Sequence, residues 1–359
     1  MTGERPVLFV TNHAPPSRAR DLAALHEREG IDVALIGGRM EHGAVETVSL
    51  AAPHRTVPQS GVFALAASGR YRAVICGTAG RVALPAAWAG ARRAKVPFLL
   101  WASLWAHPRT VAHVASALPL RRIYRNADAV VTYGPHVSRY VAAHGARNVF
   151  EAPQAVDNPF WSKRPDERER ANIENVLKFM FVGRPVWEKG LRVLIQAWRT
   201  SGCRALEAAL VLVGVGPTPP WVPADGAVTS FPAVGAEEVR NFYGAADVLV
   251  VPSIPTRRFR EPWGLVVNEA MNQQLPIIAT DAVGAAAGGL VRHDRNGLIV
   301  PARDADALAA AMVRLGSDAG LRERLGEAAA RDVAAYTHDA WAGGFSSALS
   351  SVGAGAASL

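Results

Sequence analysis

The sequence of 359 residues has few cysteines and no long apolar run. Its two cysteines, Cys76 and Cys203, are too few for a disulfide framework, so we expect a reducing compartment and no thiol nucleophile. The longest apolar run, residues 96–106, has eleven residues, whereas a helix that spans a bilayer needs about twenty. The first residues also lack the apolar core and the small-residue cleavage site of a secretory signal. Together these absences predict a soluble protein of the cytoplasm.

Excess positive charge is restricted to the first part of the chain. Residues 1–160 contain 18 Lys and Arg against 10 Asp and Glu, a net charge of +8, whereas residues 161–359 contain 21 of each. The short basic clusters are Arg92, Arg93, Lys95, Arg121, Arg122 and Arg125. Either this region meets an anionic partner, such as the lipid headgroups of the inner membrane face or an acidic acceptor, or it is a solvated arginine-rich surface. Nucleic acid is not an expected partner, because the clusters are not interleaved with aromatic residues.

Short apolar runs alternate with helical patterns, which is typical of a parallel sheet wrapped by helices. Half of the residues are apolar, and a chain of this length usually divides into two domains. The predicted fold class is therefore α/β, with two Rossmann-like doubly wound domains that face each other across a cleft. The parts are a first domain (1–160), a charged linker (161–175), a second domain (176–336) and a last helix after Thr337 that packs back on the first domain (337–359).

The pattern predicts six strands in each half. In the first half the strands are 6–12, 32–38, 73–77, 97–103, 129–134 and 149–154, and the helices are 17–29, 81–94, 110–126 and 135–144. In the second half the strands are 178–183, 208–214, 228–233, 248–253, 275–281 and 297–301, and the helices are 189–200, 236–245, 264–273 and 305–315. Ligands of such sheets bind at the carboxyl ends of the strands, so the functional site is expected there.

A strand that ends in a basic turn is the first candidate for chemistry. The strand ends at Gly183, and a turn leads from Arg184 into a helix near Lys189. Arginine offers a planar fork to phosphate oxygens and lysine a compact charge, so the turn could hold a phosphate. A plain surface turn is the alternative.

The second candidate is the segment REPWGLVVNEAM. A helix predicted from Gly264 through Met271 would expose the backbone amides of Gly264, Leu265 and Val266 at its first turn, which makes a site for an anion. Glu269 would lie roughly 7–8 Å further along this helix at 1.5 Å per residue.

Two carboxylates flank this predicted anion site. A pyrophosphate at the helix end would bring a ribose to Glu269, and Glu261 would face a sugar on the other side. Both carboxylates would then accept hydrogen bonds from hydroxyl groups and would not ligate a metal. The alternative is a surface glutamate in a turn and another on a helix face.

The joint pattern resembles a known family. The motifs follow in the order GRPVWEKG (183–190), VGVGP (213–217), FYGAADVLVVPS (242–253), the glutamates of the second candidate, IIATDAVG (277–284) and RNGLIVPARDADAL (295–308). In this order and at this spacing they resemble the nucleotide-sugar domain of the retaining family 4 glycosyltransferases, which have the GT-B fold. The resemblance extends over residues 178–315 and, less fully, over 120–160.

The resemblance implies glycosyl transfer with retention of anomeric configuration, without a metal or a cofactor. The second domain would hold a nucleoside-diphosphate-sugar donor, and the first would bind an acceptor alcohol on a lipid-linked glycan or a natural product. Arg184 and Lys189 would neutralise the leaving diphosphate. Glu261 would bind the hydroxyls of the sugar and Glu269 those of the ribose.

The resemblance implies further contacts and also shows one departure. Residues 231–234, with Ala233 and Val234, would line the base through their backbone, and Ser253 would end its strand at the cleft. The first loop of the family is usually rich in glycine, but residues 11–21 contain none. A side-chain contact from His13 or Arg18 could replace the missing backbone contacts.

Members of the family often have a histidine on the acceptor side. His107 follows a predicted strand and precedes Pro108, which places it on a loop at the cleft, with His113 as the less favoured choice. It would donate a hydrogen bond to the donor sugar. Since no carboxylate stands out as a nucleophile, a front-face route is implied, in which the leaving phosphate takes the acceptor's proton.

Two motifs have simpler explanations, and three other functions compete with glycosyl transfer. Asp304-Ala-Asp306 matches a metal signature, but Asp304 is better explained as a helix N-cap. The glycines of VGVGP lack the rest of a dinucleotide fingerprint. A nucleotide-sugar epimerase and a non-catalytic subunit that binds a glycan or a partner remain alternatives. A phosphorylase of this fold typically needs a lysine that binds pyridoxal phosphate. It is disfavoured because the only lysines after residue 160 are Lys163, Lys178 and Lys189, and Lys189 already has a role.

Overall fold

A computed structural model describes residues 5–12, 14–37, 49–78, 82–108, 111–164, 176–223 and 226–356. The chain divides into two compact units. Unit 1 comprises Met1–Ala155 together with Tyr336–Leu359, and unit 2 comprises Val156–Ala335. Most of the predicted linker and His13 lie outside the described residues. Each unit is organised around one parallel sheet, so the predicted α/β class with two doubly wound units is confirmed.

The sheet of unit 1 has seven strands in the order β3-β2-β1-β4-β5-β6-β7, all parallel. Its strands are β1 (Val7–Thr11), β2 (Ile31–Leu35), β3 (His54–Thr56), β4 (Ala73–Gly77), β5 (Phe98–Ala102), β6 (Ala129–Thr132) and β7 (Val149–Glu151). The central strands are buried along their whole length, as expected for a parallel sheet covered on both faces. The edge strand β3 was not predicted, because its exposed His-Arg-Thr sequence has no apolar pattern.

The helices that connect these strands follow the predicted ranges closely. They are α1 (Pro16–Glu29), α2 (Val62–Ala66), α3 (Ala83–Ala94), α4 (Val111–Asn126) and α5 (Pro135–Ala143). Only α2 was not predicted, since a five-residue helix is too short for a helical period to be recognised.

The sheet of unit 2 has six parallel strands in the order β10-β9-β8-β11-β12-β13. They are β8 (Lys178–Val182), β9 (Ala209–Val213), β10 (Val228–Phe231), β11 (Val248–Val251), β12 (Ile277–Thr280) and β13 (Gly297–Val300). The order reverses at β8, since β9 lies on one side of it and β11 on the other. The carboxyl ends of β8 and β11 therefore form a topological switch point, which is the usual ligand position in such sheets.

Seven helices belong to unit 2 within the described residues. They are α6 (Asn158–Trp161), α7 (Leu191–Thr200), α8 (Ala236–Ala245), α9 (Val266–Asn272), α10 (Gly284–Ala287), α11 (Ala305–Ser317) and α12 (Ala319–Val333). Helix α12 was not predicted, although Asp318 caps it by accepting a hydrogen bond from the amide of Leu321. Its buried face consists largely of alanine, glycine and leucine, and this weak apolar contrast hides the helical period.

The last helix, α13 (His338–Ser351), belongs to unit 1. It begins after Thr337, as predicted, and the Thr337 hydroxyl accepts a hydrogen bond from the amide of Ala340. Trp341 and Phe345 are fully buried. The Phe345 ring centroid lies 5.6 Å from that of Phe9 and 6.0 Å from that of Trp101, so α13 completes the core of unit 1.

Residues 156–160 lie in unit 2 and not in the first domain to which the sequence analysis assigned them. The short helix α6 is held there by a hydrogen bond of 2.9 Å from the Asn272 amide to the Asn158 side chain. In the part of the chain that the structure describes, no helix combines the length and the apolar character needed to cross a bilayer.

Candidate functional site

Three predicted residues meet at the switch point of unit 2. Lys189 lies on the loop after β8, and Ser253 and Glu261 lie on the segment after β11. The Lys189 Nζ atom is 2.5 Å from the Glu261 Oε2 atom, and the Ser253 hydroxyl donates to the same oxygen at 3.3 Å. The Glu261 side chain is 8% exposed and that of Lys189 is 25% exposed. A buried carboxylate is thus neutralised by a lysine that still contacts solvent.

The sequence analysis assigned Lys189 and Glu261 separate ligands and did not predict their ion pair. An ammonium group has three N–H donors, and the contact with Glu261 uses one of them. The pair therefore fixes the direction of the lysine and leaves donors for an anion placed on the opposite side.

Two glycines bring the loops of the switch point into contact. Gly190 has a positive φ of 71°, and a Cβ atom there would lie 1.8 Å from the Pro252 carbonyl oxygen, so no larger residue fits. The amide of Ile254 donates to the Glu188 carbonyl at 2.9 Å, which ties the β11 segment to the β8 loop. This close approach positions Lys189 beside Glu261.

Ser253 is itself held in place. Its residue is 1% exposed, and its carbonyl accepts a hydrogen bond of 2.5 Å from the Thr280 hydroxyl at the end of β12. Thr280 was not recognised from the sequence, because a threonine at the end of a buried strand gives no indication of its partner. It links a third strand end to the site.

The helix that carries Glu269 begins later than predicted. It starts at Val266, because Gly264 has a φ of 93°, which is incompatible with the first turn of an α-helix. The preceding segment lies against α10, where a Cβ atom on Gly284 would be 1.9 Å from the Pro262 carbonyl oxygen. Glu269 is three residues after Val266, or about 4.5 Å along the axis. The predicted distance of roughly 7–8 Å was counted from Gly264, which lies before the start of the helix.

The backbone amides named as an anion site lie on this segment. Gly264, Leu265 and Val266 are all partly exposed. Within the described residues, their amides donate to no protein group. The Trp263 ring beneath them is 3% exposed and donates to the Asn268 side chain at 2.8 Å, which fixes the segment.

Glu269 accepts a hydrogen bond of 2.9 Å from the hydroxyl of the fully buried Tyr243. Desolvation of the carboxyl group raises the pKa of Glu269 to about 7, although the hydrogen bond from Tyr243 acts in the opposite direction. Burial, together with the neighbouring Glu269 carboxylate, raises the pKa of Tyr243 well above its usual value. Tyr243 stands in the quoted motif FYGAAD, but its role was missed.

Arg184 and Gly183 follow directly after β8. Arg184 is partly exposed, and Gly183 has a positive φ of 155°, which residues with a side chain rarely adopt. A Cβ atom on Gly214, after β9, would lie 2.8 Å from the Gly183 carbonyl oxygen. The carboxyl ends of β8 and β9 therefore approach closely, and Arg184 leaves the sheet beside the switch point.

The residues predicted to line a base form the loop between β10 and α8. Ala233 is exposed and Val234 is partly exposed, so the backbone of this loop is accessible. The Phe231 and Phe242 rings pack with centroids 4.6 Å apart and anchor the loop to α8.

His107 lies in unit 1, whereas the residues predicted to bind the diphosphate, the ribose and the base lie in unit 2. It is partly buried on the loop that follows β5. The same edge of the sheet includes Thr78 and Ser103, whose hydroxyl oxygens are 3.4 Å apart.

Arg18, offered as a replacement for the glycine-rich loop, is engaged within unit 1. It donates to Asp21 at 2.8 Å and to Gln154 at 2.9 Å. Its guanidinium also lies 4.4 Å from the Trp101 ring centroid. These contacts oppose the predicted role as a ligand-binding side chain.

Three features of the structure concern other chemistries. Over the residues that the structure describes, no cluster of three or more His, Cys, Asp or Glu side chains could hold a metal ion. Asp304 caps α11 by accepting from the Ala307 amide at 2.8 Å, so its predicted role is confirmed. Burial raises the pKa of the Cys76 thiol to about 12, which disfavours a thiolate nucleophile.

Comparisons with known proteins concern the family and the fold. Residues 177–318 match the family model described as Glycosyl transferases group 1. The chain is 28% identical over 195 residues to an uncharacterized glycosyltransferase of Methanocaldococcus jannaschii, covering 51% of this chain and 47% of that protein. It is 30% identical over 178 residues to alpha-D-kanosaminyltransferase of Streptomyces kanamyceticus, covering 47% of this chain and 44% of the relative. The chain thus spans less than half the length of these relatives.

Solved structures resemble the whole chain. HepE of Anabaena, solved in complex with UDP and glucose, matches with a TM-score of 0.74 and 17% identity, over 97% of this chain and 100% of that one. Sucrose-phosphate synthase of Thermosynechococcus elongatus matches with a TM-score of 0.69 and 21% identity, over 94% of this chain and 96% of that one. At these identities the likeness concerns the fold.

Proposed function

In residues 177–318 the chain belongs to the group 1 glycosyltransferases, with a fold of the GT-B type, and from that premise we propose that it transfers a sugar from a nucleoside-diphosphate-sugar to an acceptor hydroxyl. The observation that supports this proposal most directly is the Lys189–Glu261 ion pair at the topological switch point. It puts a cation and a hydrogen-bond acceptor side by side, which is what the two halves of such a donor require.

The diphosphate is bound by positive groups around the switch point. Lys189 provides N–H donors that Glu261 does not use, and Arg184 leaves the adjacent strand end. The amides of Gly264, Leu265 and Val266 add uncharged donors. As the bond to the sugar breaks, negative charge grows on the departing phosphate oxygen, and fixed cations stabilise it without reorganising.

The hydroxyl groups of the donor are bound by the two carboxylates. Glu261 accepts from the transferred sugar and is oriented for this by Ser253, while Glu269 accepts from the ribose. The exposed backbone at Ala233 and Val234 contacts the base. Because HepE was solved with UDP, uridine is the first base to test in this chain.

The transfer proceeds with retention and without a metal. In this proposal the acceptor, on a lipid-linked glycan or a natural product, attacks from the same side as the leaving phosphate, which takes its proton. His107 of unit 1 donates a hydrogen bond to the donor sugar.

Donor binding is tested with the full chain and a panel of UDP-, GDP-, ADP- and dTDP-sugars, followed by thermal shift and calorimetry. We expect one nucleotide class to bind and Lys189→Ala to weaken its binding at least tenfold. The control is Lys163→Ala, which removes an exposed lysine of the same unit. If no nucleotide sugar binds, or if both variants bind equally, the proposal is wrong.

Catalysis is tested separately from binding. Slow hydrolysis of the bound donor without an acceptor is expected for the enzyme, whereas a binding subunit would leave the donor intact. The anomeric configuration of a transfer product, read by NMR, tests retention, and activity that survives a chelator tests metal independence.

A further inference from the structure

Unit 1 has a continuous basic surface at the amino-terminal edge of its sheet. Seven basic residues end the helices or loops that lead into β5, β6 and β7, which are neighbours in the sheet. They are all exposed: Arg92, Arg93, Lys95, Arg121, Arg122, Arg125 and Arg147. Since the strands are parallel, their amino ends lie at the same edge, so these residues form one surface, here called the basic edge.

Two direct contacts join the chain segments that carry the basic edge. The Arg92 guanidinium donates to the Asn126 carbonyl at 2.5 Å, which joins the end of α3 to the end of α4. The Arg125 side chain lies on Gly145, where a Cβ atom would be 2.5 Å from the arginine Cγ atom. The ends of α3 and α4 and the loop after α5 are therefore contiguous.

The basic edge contains a concavity of about 350 Å³. It is lined by Leu118, Arg121, Arg122, Arg125 and Asn126. In the described parts of the chain, none of the seven basic residues forms an ion pair. Three arginines line this hollow. They are suited to phosphate oxygens, because the planar fork of arginine matches them.

An exposed leucine distinguishes this surface from a plain polyanion site. Leu118 lines the same hollow and is 76% exposed. Burying an exposed leucine in an acyl layer is favourable, and cations beside it are attracted to anionic headgroups. No aromatic residue lines the hollow, so nucleic-acid bases have no stacking partner there.

We propose that the basic edge docks unit 1 on an anionic phospholipid surface, with phosphate groups in the arginine hollow and Leu118 inserted between headgroups. This inference does not depend on the proposed function, because the basic edge is at the opposite end of the strands from His107. For strands of five residues that separation is about 16 Å. The carboxyl edge of unit 1 would therefore point away from the bilayer, an orientation that suits a natural product in solution as the acceptor better than a lipid-linked glycan.

The proposal is tested with the full chain and vesicles of neutral phosphatidylcholine, with and without phosphatidylglycerol. We expect sedimentation with the mixed vesicles only, and release at high salt, since exposed charges are screened. The variant Arg121→Glu/Arg122→Glu/Arg125→Glu should reduce retention at least tenfold. The matched control Arg199→Glu/Arg324→Glu/Arg331→Glu makes the same charge change on exposed residues of unit 2. Its retention on the mixed vesicles should stay close to that of the unaltered protein.

Leu118→Ser separates a lipid surface from any other polyanion. It should weaken retention on anionic vesicles several-fold and leave the salt-dependent elution from immobilised heparin unchanged. The proposal is wrong if neutral vesicles retain the protein equally well. It is also wrong if both triple variants lose equal retention, or if Leu118→Ser does not change retention on anionic vesicles. Thermal melting shows that the variants are folded, and donor binding shows that unit 2 is unaffected.

Discussion

The basic edge of unit 1 and the switch point of unit 2 differ in how their cations are paired. In unit 2, Lys189, Arg295, Arg314 and Arg331 each have an acidic partner, and the residues from 161 onward are neutral overall. In unit 1 the basic edge has no such partners within the described residues, and the net charge of +8 lies in residues 1–160. A paired cation has a fixed direction and suits one ligand, whereas unpaired exposed cations create a field that attracts any anionic surface.

The largest effect is expected from breaking the pair at the switch point. Glu261→Gln keeps the shape of the side chain but removes its charge, so Lys189 loses the partner that orients it. By analogy with the removal of a fixed transition-state contact, we expect sugar transfer to fall by about 10²–10³-fold. The measurement is kcat/KM with a saturating acceptor, and vesicle retention should be unchanged. An activity within threefold of the unaltered enzyme would contradict the assignment.

A cross-over experiment sharpens the contrast between the units. The triple variant of the basic edge should lose at least tenfold in vesicle retention while its affinity for a nucleotide sugar in solution stays the same. Lys189→Ala should have the opposite profile. Calorimetry and vesicle sedimentation on the same preparations provide both readings. Loss of both activities in either variant would show that the two surfaces are not independent.

Glu269 provides a pH-dependent test within unit 2. Burial raises the folded-state pKa of its carboxyl group from the usual 4.5 to about 7. The folded state therefore favours the protonated acid, and this stabilisation is complete below about pH 4.5 and is lost as pH rises towards 7. The stability lost over this pH range is about 1–3 kcal/mol. A shift of one pKa unit corresponds to about 1.36 kcal/mol, and the partial exposure of the residue reduces the total.

The variant Glu269→Gln isolates that effect. Without ligand, it should be more stable than the unaltered protein at pH 8, and the advantage should shrink at pH 5. Urea unfolding at the two pH values measures it. The affinity of the unaltered protein for the donor should instead increase from pH 5 to pH 8, because ribose hydroxyls donate to the ionised carboxylate. A pH-independent difference between the two proteins would contradict this account of Glu269.

The smallest effect is expected from an exposed ion pair. Arg331 and Glu327 are 3.4 Å apart, and both side chains are more than half exposed. Glu327→Gln should change the free energy of unfolding by about 0.3–0.5 kcal/mol at most, as for other exposed helix pairs. A change above about 1 kcal/mol would show that this exposed ion pair stabilises unit 2 more than such pairs usually do.

Much of the fold could be predicted because its information is local. Apolar runs such as those of β4 and β5 are buried along their whole length, and the caps at Thr337 and Asp304 act as their sequence predicts. The missed elements lack that local contrast. Strand β3 is polar and exists through backbone pairing with β2, and α12 buries mainly alanine and leucine.

The site could be predicted only as a set of residues. Lys189, Ser253 and Glu261 were all named, but their mutual contacts depend on how closely two loops approach. That approach is set by Gly190 against Pro252, a packing relation between residues far apart in sequence. The start of α9 was misjudged for a similar reason, since the φ of Gly264 is set by the packing of Pro262 on Gly284.

The return of the chain to unit 1 limits how the protein can be divided. A fragment that stops at Ala335 would remove Trp341 and Phe345, and the rings of Phe9 and Trp101 would then be open to water. Such a truncated product should be prone to aggregation. An isolated version of unit 1 would need residues 336–356 joined to Ala155 by an engineered linker, whereas unit 2 is one uninterrupted stretch of chain that can be expressed directly.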